Sequence, residues 1–156
     1  MNSIKKGHNF ERRVVKILEK SFPAYKFWRV PLSGASATIE KTEQLKGDIL
    51  GEHKETKLPF PISIECKNHK DNSTDAIMFG DKKFYSFLDQ AMIKENWMLF
   101  LHIPYKGEIL LTTLQTFKHL EIGFEGCEIK KLIDPFSPII VFDYKDKKIV
   151  GARVYD

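Results

Sequence analysis

An alternating stretch at residues 60–67, with the sequence FPISIECK, constrains the fold more than any other part of this chain. Apolar side chains occupy every second position, and this period of two predicts a β-strand with one face in the core. The opposite face carries Ser63, Glu65 and Lys67. An acid and an amine are therefore expected side by side on the face that the core does not take. The predicted core-facing row consists of Phe60, Ile62, Ile64 and Cys66.

A second acidic residue lies upstream of this strand. Residues 46–50, KGDIL, predict another short strand, which contains Asp48, 17 positions before Glu65. Two carboxylates are hard ligands that suit Mg²⁺, and a lysine near a metal-bound water can orient or deprotonate that water. The combination of Asp48, Glu65 and Lys67 is therefore typical of metal-dependent nucleases. The alternative is a solvated strand edge with a weak ion pair between Glu65 and Lys67.

The composition is that of an ordinary globular protein. The chain has 156 residues, of which 42% are hydrophobic and 29% charged, and this predicts one domain with a substantial core. The net charge of +4 is compatible with a polyanionic partner but does not identify one. The two cysteines lack the spacing of a zinc site, which favours reduced thiols in a cytoplasmic protein. We expect no secretory leader and no membrane segment, because no apolar run has the required length.

Residues 6–20 predict an amphipathic first helix in which one acidic residue is anomalous. Glu11 projects within the apolar arc, where an unpaired carboxylate would be costly. We therefore expect a cation, a hydrogen-bonding cleft or a metal-bound water beside Glu11. The alternative is that Glu11 lies at the edge of the arc and extends into solvent. The apolar residues that define the arc are Phe10, Val14, Val15, Ile17 and Leu18.

The other side of this helix is basic. Arg12, Arg13, Lys16 and Lys20 form a ridge beside Glu11 that suits the phosphates of a nucleic acid. The same four residues would also be expected on a helix face that is simply solvated.

A strand predicted at residues 25–30 ends at Arg29, and a small polar loop follows it. This loop, SGASAT at residues 33–38, leads to Asp48, and its small side chains permit close approach to a nucleic-acid backbone. A mobile connection without a function is the alternative. The further elements predicted are a polar turn at 51–58, a polar loop at 68–75, a helix at 81–94, strands at 97–103 and 108–112, a short helix at 113–120, and a hairpin formed by 139–144 and 148–155.

This order of elements predicts an α/β fold, with a mixed central β-sheet flanked by helices. With these elements in place, residues 5–110 resemble the archaeal-type Holliday-junction resolvases, which belong to the PD-(D/E)xK nuclease superfamily. The resemblance rests on the helix at 6–20, Arg29, the loop SGAS at 33–36, Asp48 and the run Glu65-Cys66-Lys67, in that order.

The resemblance implies a restriction-endonuclease-like core and Mg²⁺-dependent cleavage of four-way DNA junctions by a homodimer, with Mn²⁺ as a possible substitute. One nuclease domain would span residues 1–156, with an extension from about 113 that ends in the hairpin. The implied catalytic residues are Glu11, Asp48, Glu65 and Lys67. The implied metal ligands are Asp48, Glu65, the backbone carbonyl of Cys66, and Glu11. The implied DNA-binding residues are Arg12, Arg13, Arg29, Ser33 and Ser36.

The sequence departs from the pattern of that family in several places. Gly47 stands where the motif has a proline, and the loops at 31–46 and 52–59 are longer than in compact members, so the equivalent loop serine is ambiguous. The residues after about 113 have no counterpart in the pattern. Two other functions therefore remain open. One is a restriction-like or repair endonuclease that acts on duplex, flap or single-stranded DNA, and the other is a DNA-binding module without catalysis.

Overall fold

A seven-stranded mixed β-sheet forms the centre of the protein in a computed structural model. The structure describes residues 3–30, 47–68, 82–104 and 107–155, with side chains from residue 7 onward. The strands are β1 (Tyr25–Arg29), β2 (Ile49–His53), β3 (Ser63–Asn68), β4 (Trp97–Ile103), β5 (Gly107–Thr113), β6 (Ile140–Tyr144) and β7 (Lys147–Arg153). Their order in the sheet is β1-β2-β3-β4-β5-β7-β6. Strands β3 and β4 pair in parallel, and the other neighbouring strands are antiparallel.

Helices cover both faces of this sheet. The helices are α1 (Ser3–Ser21), α2 (Lys82–Ala91), α3 (Leu114–Glu121) and α4 (Ile129–Leu132). One face of the sheet packs against α1, α3 and α4 in a large apolar cluster, and the other packs against α2 in a smaller cluster. A short 3₁₀ turn at Phe124–Gly126 separates α3 from α4. The fold is therefore α/β with a mixed sheet flanked by helices, which confirms the prediction from sequence.

The first helix is held against the sheet by its apolar stripe. Phe10, Val14 and Leu18 recur at intervals of four residues and are buried against the core. The helix begins somewhat earlier than predicted and ends where the Ser21 hydroxyl donates a hydrogen bond to the Ile17 carbonyl at 2.7 Å. The position of Glu11 is fixed by this packing, because it lies between two buried residues of the stripe.

The predicted turn at residues 51–58 is wrong in part. β2 continues to His53, and the Phe60 N–H donates a hydrogen bond to the Gly51 carbonyl at 2.9 Å. The chain then bends at residues 61–62, so β3 begins at Ser63 and not at residue 60. Pro61 has no N–H for a sheet ladder, which accounts for the late start. The alternation in residues 60–67 predicts Ser63 on the exposed face, but Ser63 is buried.

Other expectations agree with the structure, although boundaries shift by one to three residues. β4 spans the predicted 97–103, and the hairpin of β6 and β7 turns at Lys145 and Asp146, both with positive φ. The short helix α4 was not predicted.

The loops at 33–38 and 69–75, with Ser33 and Ser36, lie outside the described residues. No helix in the described parts of the chain has both the length and the hydropathy that crossing a bilayer requires.

The packing of Phe27 and Phe60 against β2 is expected to depend on Gly51. A Cβ atom at this position would lie 2.6 Å from the Phe27 ring and 2.9 Å from the Phe60 Cβ. We expect Gly51→Ala to lower the free energy of unfolding by roughly 1–3 kcal/mol, since buried aromatic rings must move. Urea denaturation measures this change. Gly7→Ala, in α1, is the matched control, because its nearest atom would be 3.9 Å away and alanine favours helix. Equal stability of Gly51→Ala and the wild type would contradict the packing described here.

Candidate active site

The pairing of β3 with β4 decides which way the acid and the amine of β3 project. Glu65 is paired with Leu99, and Lys67 with Leu101. Both leucines are buried in the cluster against α2. Paired residues project to the same face of a sheet. Glu65 and Lys67 therefore lie on the α2 face.

Asp48 is fixed between β1 and β3 by three hydrogen bonds. Its N–H donates to the Ile64 carbonyl at 2.8 Å, and its carbonyl accepts from the Val30 N–H at 2.9 Å. Its carboxylate Oδ2 accepts a hydrogen bond from the Cys66 N–H at 2.7 Å. The carboxylate is thereby held beside the backbone of β3, next to Glu65.

The residue before Asp48 has to be small. A Cβ atom on Gly47 would lie 2.4 Å from the Ile64 carbonyl oxygen, which is a backbone atom and cannot simply rotate away. Proline at position 47, as in the motif of the similar family, would carry such a Cβ. The close approach of β3 therefore explains why glycine stands at this position.

The carboxyl of Glu65 has an unusual affinity for protons. Burial, followed by the charge of Asp48 and a hydrogen bond with it, raises the pKa of Glu65 to about 8, although the charge of Lys67 opposes the rise. Near neutral pH the two carboxyl groups together therefore retain a proton. A pair of this kind is stabilised by a cation that replaces the proton.

Lys67 lies on the same face, with its charge near an aromatic ring. Its Nζ is 5.7 Å from the centre of the Phe87 ring of α2. This contact holds the amine at the sheet surface rather than free in solvent. The amine is thus available beside Glu65 on the carboxylate face.

Glu11 lies on the opposite face of the sheet, where it forms an ion pair with Arg29. The Arg29 Nε donates a hydrogen bond to the Glu11 carboxylate at 2.7 Å, and the side chains are only 20% and 13% exposed. The expected cation beside Glu11 is therefore Arg29. The alternative, in which the Glu11 carboxylate extends into solvent, is not what the structure shows.

Carboxylates from both faces of the sheet affect the thiol of Cys66. Burial raises the pKa of its thiol, and so do the charges of Asp48, Glu11 and Glu65, which shows that all three carboxylates act on this one strand position. The structure thus brings Glu11 near the end of β3, although on the face opposite Glu65.

The basic ridge of α1 is only partly free for phosphates. Arg13 forms an ion pair with Glu108 of β5, with the Nη2 and Oε1 atoms 2.5 Å apart, and it also stacks over Phe10. Arg12 is exposed and donates a hydrogen bond to Asn9 at 3.3 Å. Arg12 is therefore better placed than Arg13 to meet a phosphate.

His102 and Trp28 lie near the candidate site residues although no sequence motif indicates either of them. His102 lies at the end of β4, where its Nδ1 is 3.3 Å from the same Glu108 carboxylate that Arg13 contacts. No local pattern indicates this group, since it depends on pairing between β4 and β5. Trp28 is exposed in β1, beside Arg29, and the alternation along this strand indicates its face but not a role.

The donor set near β3 fits a magnesium ion. In the parts of the chain that the structure describes, no three His, Cys, Asp or Glu side chains are grouped closely enough to hold a metal ion. Mg²⁺ commonly takes only one or two protein carboxylates and completes its shell with water and substrate phosphate. The adjacent carboxyl groups of Asp48 and Glu65 meet that requirement, together with the backbone carbonyl of Cys66, which follows Glu65 in β3.

A family model built from known proteins matches more than half of the chain. Residues 2–99 match the family described as "Phage putative PDDEXK endonuclease". The matched stretch contains α1 and strands β1 to β3, and therefore Glu11, Asp48, Glu65 and Lys67. No curated protein and no solved structure matches the chain.

Proposed function

The chain belongs to the phage PDDEXK endonuclease family, and we propose that it cleaves DNA phosphodiester bonds with a divalent cation held by Asp48 and Glu65. Membership confirms the predicted superfamily and its restriction-endonuclease-like core, and it makes the chain a nuclease of that superfamily. It does not extend to the archaeal-type resolvases, so cleavage of four-way junctions is a separate, finer proposal.

The observation that carries the metal proposal is the contact between two carboxyl groups on adjacent strands. The raised pKa of Glu65 reflects burial next to Asp48, which is unfavourable without a neutralising partner. A bound Mg²⁺ or Mn²⁺ would lower the pKa of a water molecule and neutralise charge on the phosphate. The Cys66 carbonyl is the third ligand in this proposal.

The remaining residues orient the substrate. Lys67, on the same face as Glu65, would hold the attacking water or a phosphate oxygen. Glu11 would contact the site through a water or a second cation, while its carboxylate also pairs with Arg29. Arg29 and the exposed Arg12 would bind phosphates on either side of the cleaved bond, and Ser33 and Ser36 are proposed for the same task.

Asp48→Asn and Glu65→Gln are expected to abolish cleavage but to leave DNA affinity within a few-fold, because both remove metal charge and neither removes a phosphate contact. Cleavage of a labelled oligonucleotide in Mg²⁺, Mn²⁺, Ca²⁺ and EDTA measures the first effect, and a gel-shift assay in Ca²⁺ measures the second. Asp143→Asn is the matched control, since Asp143 is exposed and contacts Lys148. Cleavage at the wild-type rate by either variant, or in EDTA, would refute the metal site.

We further propose that the protein acts as a homodimer on four-way junctions. The support is the resemblance of residues 6–20, Arg29 and the run from Glu65 to Lys67 to the archaeal-type resolvases. There is also a physical reason, because a four-way junction has approximate two-fold symmetry and a two-fold dimer can present one site to each of two opposed strands.

This finer proposal predicts a dimer that prefers junctions to duplex. We expect sedimentation to give twice the monomer mass, and unlabelled duplex to compete poorly for a labelled junction of matched sequence. Paired nicks in opposed strands should appear on a denaturing gel. A monomer that binds and cuts junction and duplex equally would remove the resolvase proposal and leave the nuclease proposal intact.

A further inference from the structure

A cavity opens at the edge of the sheet, close to the carboxyl pair. Its volume is about 230 Å³, and it lies between β1, β2 and the chain that leads to β3. Its lining combines an indole ring, two aliphatic side chains, an acid and an amine. These residues are Trp28, Leu50, Pro59, Glu52 and Lys57, and the rest of the lining consists of Ile49, Gly51, Phe60 and Ile62.

Trp28 and Leu50 line the cavity from the face of the sheet that carries Glu65, whereas Ile49, Phe60 and Ile62 line it from the cluster on the other face. Burial alternates along β1 and β2, so that Phe27 and Ile49 enter the core while Trp28 and Leu50 project to the other face. Trp28 and Leu50 are also paired in register. Leu50 is two residues beyond Asp48, which corresponds to about 7 Å along a strand. The indole therefore flanks the proposed cleavage site.

The two tryptophans of the chain differ in exposure. The Trp28 indole is 38% exposed, whereas the other tryptophan, Trp97, is 1% exposed in the core. Tryptophans that remain at a surface commonly serve as contact residues, because they offer a large flat ring with one polar edge. Packing of the core does not require the ring of Trp28 at this position.

The size and chemistry of the cavity favour one flat heterocycle. Pockets for drug-sized molecules measure about 300–1,000 Å³, so this cavity suits a smaller ring system. The Glu52 carboxylate can accept a hydrogen bond from the amino group of a base, and the Lys57 amine can donate to a base carbonyl or to a phosphate. An aromatic platform with these groups at its rim is typical of base recognition in single strands.

We propose that this cavity binds one unpaired nucleobase of the DNA, stacked on Trp28. This inference rests on the proposed nuclease function and narrows its substrate to DNA with an unpaired nucleotide beside the cleaved bond, such as a single strand, a flap or a branch point. A base within an intact duplex is paired and stacked, and entering the cavity would require extruding it.

The test compares a forked DNA, with one single-stranded arm, and a duplex of matched sequence, both bound in EDTA so that affinity is measured without metal. We expect Trp28→Ala to weaken fork binding about ten-fold, as loss of one base stack does, and to leave duplex binding unchanged. Trp28→Phe should keep most of the affinity. Phe136→Ala is the matched control, since Phe136 is an aromatic residue that is 94% exposed and is not part of the lining.

A second readout is intrinsic fluorescence. Binding of the fork should quench the emission of wild-type protein, and the quenching should disappear in Trp28→Phe, which retains only the buried Trp97. Fork affinity and quenching that do not depend on Trp28, in a protein that still cuts DNA, would overturn the base site and leave the nuclease. Quenching that requires Trp28, in a protein that cuts no DNA with any metal, would support the base site and overturn the nuclease.

Discussion

The hydrogen bond from the Cys66 N–H to the Asp48 carboxylate holds the site together. β2 and β3 share only the register pair of Ile49 and Ile64, so the ladder between them is minimal. Asp48 supplies further hydrogen bonds between these segments. Its carboxylate and its N–H bond to β3, and its carbonyl accepts from the Val30 N–H. One side chain therefore both joins two strands and sets a negative charge beside Glu65. This double role makes Asp48 the residue on which the site geometry depends.

The stability needed for such a site comes from elsewhere in the fold. Two partly buried carboxyl groups next to each other oppose folding, because neither burial nor a like charge favours ionisation. The sheet tolerates them since apolar clusters pack on both of its faces, with α1 on one and α2 on the other. Strained or repulsive groups that the remaining core supports are typical of functional sites. The same repulsion that weakens the metal-free fold would favour a bound cation.

Local patterns predicted much of this arrangement, and non-local contacts account for what was missed. The alternation in residues 60–67 predicted Glu65 and Lys67 on one face, and the wheel of α1 predicted for Glu11 either a partner or an exposed position at the edge of the apolar arc. The identity of that partner, Arg29, depends on the packing of α1 against β1 and is not a local property. The same holds for Arg13, whose partner Glu108 is 95 positions away. Trp28 was assigned to a strand without a role, because alternation gives the face of a residue but not what covers that face.

Proton release on metal binding tests the central claim most directly. Since burial and the charge of Asp48 raise the pKa of Glu65 to about 8, this carboxyl is mostly protonated at pH 7 in the metal-free protein, and a bound cation must displace its proton. Titration calorimetry with Mn²⁺, in buffers of different ionisation enthalpy, counts the protons. We predict release of about one proton per Mn²⁺ at pH 7, falling toward none at pH 9 and absent in Glu65→Gln. Binding of Mn²⁺ without proton release at pH 7, or unchanged by Asp48→Asn, would contradict the site described here.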